Sequence, residues 1–99
     1  MQKYRVIVHG QNLLTDVEGV RQRAGFYTNV FVEAFASADA EAQAIELVSQ
    51  DAHLHQATFN AEDGPLRLSA DEVAEIKTFD GVRLPRTGLA FYPEESVKT

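Results

Sequence analysis

No cysteine occurs in the 99-residue chain. That excludes a disulfide framework, a thiolate metal site and a cysteine nucleophile. It also leans towards a reducing compartment, because small secreted domains commonly rely on such staples. Long apolar runs are missing as well. Val6-Ile7-Val8, which follows Met-Gln-Lys-Tyr-Arg, is too short for a signal-peptide core or a membrane span, so a cytoplasmic protein is the expectation. Glycines stand apart: Gly19, Gly25, Gly81 and Gly88 match no phosphate-cradling spacing. Neither a nucleophile elbow nor a zinc-protease motif is present. Asp71, Glu72 and Glu75 form an acidic cluster without the regular oxygen spacing and central glycine of an EF-hand. Positive charge is scarce, with 9 basic against 15 acidic residues and a formal net charge of −6. Such a surface repels phosphate backbones on average, so nucleic-acid binding would require a local basic patch.

What is present reads as one α+β domain spanning 1–99. Hydrophobic residues make up 44% and charged residues 24%, which is ordinary globular usage and not that of a disordered chain. Residues 3–14 alternate as a strand, with Tyr4, Val6 and Val8 on one face and Arg5, Ile7 and His9 on the other. Its apolar content suits a central position, and Gly10 marks a bulge or a close approach. Thr15-Asp-Val-Glu-Gly19 suits a hairpin turn. A second extended segment follows from Val20 to about Ala36, rich in aromatic and β-branched residues. One face carries Phe26, Thr28, Val30, Val32 and Ala34; the other carries Tyr27, Asn29, Phe31, Glu33 and Phe35. Gly25 is expected to allow a bulge there.

Ser37 opens the clearest helix, with its hydroxyl placed to cap and with Asp39 and Glu41 in the first turn. Ala44, Ile45, Leu47, Val48 and Ala52 form the apolar stripe, and the end is expected near His53 or Leu54. A short strand or bridge follows over 56–64, closed by the turn signal Asn60-Ala-Glu-Asp-Gly-Pro65. The stretch from Leu66 to Phe79 is ambiguous. Ser69-Ala-Asp-Glu72 fits a capping box and a short helix over 69–78. An extended strand, bulged between Asp71 and Val73, is the reading preferred here. Asp80-Gly81 is a turn, Val82 to Gly88 a loop, Leu89 to Tyr92 a last short apolar segment, and 94–99 a frayed tail. The order β-β-α-β-β, with a fifth short strand, implies a two-layer fold: an antiparallel sheet of four to five strands against one main helix.

No catalytic set assembles from spacing alone. His53-Leu54-His55 could share a metal on a strand, but it straddles a helix end, where a terminal histidine beside the dipole is the plainer role. His9 lacks any nucleophile or orienting carboxylate placed by sequence. Arg21 and Arg23 precede Phe26 and Tyr27 and could touch an anion or an RNA loop. The plainer reading pairs them with Asp16 or Glu18 across the turn. No cofactor and no metal is called for. The most informative feature is the row Tyr27, Phe31 and Phe35, four residues apart on one strand face. Either the C-terminal segment folds over it through Phe91 and Tyr92, or it meets a partner, most simply a second copy.

The stretch Gly25-Phe-Tyr-Thr-Asn-Val-Phe-Val-Glu-Ala34, the Ala/Glu-rich helix after it and Gly88-Leu-Ala-Phe-Tyr-Pro-Glu-Glu95 resemble small uncharacterised bacterial α+β proteins of similar length. That resemblance implies no activity. The element order also looks like that of the small antitoxin domains of the HicB type, without the DNA-binding segment many of those carry. Three functions stay open. The leading one is a non-enzymatic protein-interaction or self-association module, with Arg21, Arg23, Tyr27, Phe31 and Phe35 as the contact residues. The second is a small ligand-binding protein or enzyme using histidine and arginine side chains. The third is an antitoxin-like or RNA-contacting domain.

Overall fold

A computed structural model describes residues 1–17, 20–51 and 67–93, with side chains described for 1–13, 23–51 and 67–93. It contains β1 (Gln2–Val17), β2 (Val20–Ala34), α1 (Ser37–Ser49), β3 (Arg67–Ile76) and β4 (Ala90–Pro93). The strands form one antiparallel sheet in the order β3-β1-β2-β4, and α1 covers one face. The fold is therefore two-layer α+β. The expected strand over 56–64 and the histidines 53 and 55 lie outside the described residues. No helix of the described residues is long and apolar enough to cross a membrane.

The core follows from the alternation of β1 and β2. Val6, Val8, Phe26 and Val30 are wholly buried, with Tyr4, Val32 and Ala34 nearly so. Ala40, Ala44 and Val48 pack on them from α1, at the four-residue spacing that puts side chains on one helix face. Each full burial of a valine or phenylalanine contributes about 1.5–3 kcal/mol. The ion pair Arg5–Glu72, at 2.7 Å, has side chains 37% and 53% exposed and is worth about 0–1 kcal/mol. The apolar layer decides the fold. Thr28 is the buried polar side chain of this layer, and its hydroxyl donates to the Thr87 carbonyl at 2.9 Å.

Two irregularities re-aim the sheet. Gly10 pairs with Phe26 and Leu13 with Ala24, so Gln11 and Asn12 together face Gly25. The bulge expected at Gly25 thus sits on β1, where Asn12 takes φ 67°, a conformation asparagine tolerates better than most residues. Gly10 meets the other expectation of a close approach: a Cβ there would lie 2.2 Å from the Phe26 ring. On β3, Ile7 pairs with Glu72 and Val8 with Ala70, which leaves Asp71 as the bulged residue. The stretch 69–78 is strand through Ile76, and the capping-box pattern is overridden by pairing with β1.

The helix departs from expectation at both ends. Ala36, not Ser37, is the N-cap; it is extended, and no side chain caps the turn. Ser37 lies one residue too far into the helix to serve. The helix stops at Ser49, several residues before His53. There the Ser49 hydroxyl donates to the Glu46 carbonyl at 2.8 Å, and Asp51 turns away to pair with Arg86. Arg86 opposes Val30 across an isolated bridge, so this ion pair ties the C-terminal segment to the end of the helix.

Replacing Gly10 with alanine is expected to cost about 1–3 kcal/mol through overpacking on Phe26. Urea unfolding measures it, and Phe26→Leu in the same chain should make Gly10→Ala less costly than it is alone.

Candidate functional site

The sheet face away from α1 carries the polar and aromatic chemistry. His9 pairs with Tyr27 across β1 and β2, so the two side chains share that face. The imidazole and phenol rings stack at 4.4 Å and 12°. β4 adds Tyr92, which sits opposite Gly25. A Cβ at Gly25 would fall 2.3 Å from the Tyr92 ring, so the glycine is a socket for the tyrosine. Seated there, the Tyr92 hydroxyl lies 2.5 Å from His9 Nε2. Asp71 approaches from β3, with its carboxylate 3.7 Å from His9 Nδ1. A proton on Nδ1, towards the carboxylate, leaves Nε2 to accept from the Tyr92 hydroxyl.

The β3 bulge makes this face more acidic. Regular alternation would send one of any two neighbouring residues inwards. The bulge turns both Asp71 and Glu72 outwards, and both are exposed. Beside them lies a hollow of about 490 Å³ whose lining includes Ile7, Tyr27, Asn29, Asp71, Glu72 and Gly88. Its far wall is the C-terminal segment, held to the β2 edge by Thr87 N donating to the Asn29 carbonyl and Asn29 N donating to the Thr87 hydroxyl, at 2.9 and 3.0 Å. His9 and Tyr92 back this hollow through Tyr27 and do not line it.

The structure breaks up the residues singled out from sequence. Tyr27 is 40% exposed at the hollow, but Phe31 is only 8% exposed. Phe79 covers it edge-to-face at 6.3 Å, with Lys3 Nζ over the Phe79 ring. Phe35 is 74% exposed beyond the end of β2. Eight residues of strand put Tyr27 and Phe35 about 26 Å apart. The three do not form a continuous exposed row. Arg23 is half-buried on β2, and the register sets Arg21 opposite Asp16, while the Arg21 side chain lies outside the described ones. Of the two residues of the C-terminal segment expected to fold over this face, Tyr92 does so; Phe91 lies on the other side, edge-to-face with Phe26 at 5.9 Å.

No family model, curated protein or solved structure matches this chain. Sequence reasoning missed Asp71, Gly88 and Tyr92 as site residues. The register against β1 and β2 brings them together from strands far apart in sequence, and only the paired aromatics near the C-terminus hinted at it. Among the described residues, no three histidine or carboxylate side chains converge as a metal site.

Tyr92→Phe should remove the bond to His9 and cost about 0.5–1.5 kcal/mol in urea unfolding. Amide shifts of His9 and Tyr27 are expected to move, while those of the α1 core residues stay in place.

Proposed function

We propose that the protein is a cytoplasmic, non-enzymatic interaction module that holds a partner protein on the helix-free face of its sheet, at the hollow beside Tyr27. The observation that carries this reading is the Tyr27 ring, left 40% exposed at the rim of a hollow although His9, Tyr92 and the C-terminal segment are all in place around it. Exposed aromatic rings fixed by their neighbours are favoured contact groups, because little side-chain freedom is lost on binding. The missing cysteines support the reducing compartment.

A partner of different sequence fits better than a second copy. Two copies face to face across a two-fold axis would bring two Asp71 and two Glu72 side chains together, and like charges in contact oppose association. The enzyme reading draws on the His9–Tyr92 bond, but neither residue opens onto the hollow. The RNA-contacting reading needs a positive surface, whereas Lys3 and Arg5 on this face are matched by Glu33 and Glu72.

Gly88 offers a direct test, because it lines the hollow and a Cβ there meets nothing within 4 Å, so a larger side chain is accommodated without a clash. A random peptide library selected on the wild-type protein, with Gly88→Leu as the counter-selection, should yield binders that shift the amides of Tyr27, Asn29 and Gly88. Sedimentation should give a monomer. Binders that ignore Gly88→Leu and shift other regions would sink this reading. A dimer disrupted by Gly88→Leu would transfer it to self-association.

A further inference from the structure

We propose that the hollow beside Tyr27 takes the guanidinium group of an arginine on the partner protein. This rests on the reading of the helix-free face as the binding surface and adds the chemistry of its occupant.

Charge is the first ground. Two carboxylates line the hollow, and none of its described lining residues is a cation. The two carboxylates are not equivalent. Arg5 answers Glu72 at 2.7 Å. Asp71 has His9 Nδ1 at 3.7 Å, longer than a hydrogen bond, and 43% of its side chain remains exposed. A donor arriving in the hollow finds Asp71 with unused acceptor capacity, set there by the β3 bulge rather than by ordinary alternation. The chain as a whole carries −6, so its field draws a cationic segment towards it.

Shape is the second ground and is independent of charge. Tyr27 lies flat on His9, tilted by 12°, and Tyr92 sits 5.6 Å away against the same ring. The plane of Tyr27 is thereby fixed from behind, and the ring presents a firm aromatic wall to the hollow. A planar cation stacks on such a wall and gains from the ring quadrupole. Guanidinium suits this better than ammonium. It is planar, weakly hydrated and able to lie on a ring while its fork of N–H donors reaches a carboxylate. Asp71 is that carboxylate, with the Asn29 side chain on the same wall as a further acceptor. A lysine would bring a strongly hydrated point charge and would use the aromatic wall less well.

The experiment uses the full chain and three capped peptides with glycine and serine around one central residue: arginine, lysine or citrulline. Citrulline keeps the planar shape and removes the charge. Amide shifts and intrinsic tyrosine fluorescence report the binding. The arginine peptide is expected to shift Tyr27, Asn29 and Asp71 and to bind about three- to tenfold more tightly than citrulline, with lysine between them. Asp71→Asn should remove most of that preference, and Gly88→Leu should abolish binding of all three peptides. Equal affinity for arginine and citrulline, with shifts at the hollow blocked by Gly88→Leu, would overturn the cation and leave the binding face standing. Shifts elsewhere, or none with any of the peptides, would overturn the cation and count against the face as well. Free arginine amide binding as tightly as the peptide would replace the partner protein with a small guanidine.

Discussion

Val6, Val8, Phe26 and Val30 lie on the two central strands, wholly buried in the core on which α1 packs. Strand side chains alternate, so the register that sinks these four also fixes Ile7, His9, Tyr27 and Asn29 on the opposite face. A slip of one residue would exchange the two sets, and several apolar burials of about 1.5–3 kcal/mol each stand against it. The helix-free face is thus the reverse side of the core and inherits its rigidity. Ion pairs on that face are exposed and too weak to define it. The two bulges are the places where strict alternation is broken, and one of them supplies the second carboxylate.

How much of this was legible in the sequence depended on distance along the chain. The buried face of β2 could be read directly, because Phe26, Thr28, Val30, Val32 and Ala34 alternate without interruption. The strand at 67–76 was legible for a related reason: its apolar positions alternate on either side of a break at Asp71 to Val73. The start of the helix was read to within one residue. Its end was not, because Asp51 is drawn off by Arg86, 35 residues later. The burial of Phe31 depends on Phe79, which lies in the loop after β3 and meets Phe31 from 48 residues away. The His9–Tyr92 bond joins residues 83 apart, and local pattern carries no information about it.

The aromatic cluster and the acidic rim belong together physically. Tyr27 is stiffened by a stacked histidine, the histidine is held by a phenol, and the phenol is seated on a glycine. Each link restricts the next, so the ring at the hollow is held in one orientation. Preorganisation of this kind lowers the entropy lost on binding and lets a small contact discriminate between ligands. In the proposed role, the carboxylates beside it would disfavour an anion or a second copy and favour a cation.

The C-terminal edge strand also governs when the face comes into existence. β1 and β2 form a hairpin whose contacts are local in the chain, and hairpins of this kind form early. β4 instead must find β2 across some sixty intervening residues, and its tyrosine closes the cluster around His9. Pairings of such high contact order are slow and come after local ones. The hairpin and helix can therefore be in place, with Tyr27 stacked on His9, before Tyr92 joins the cluster and Thr87 closes the hollow. The cluster around His9 is complete only once β4 has docked on β2.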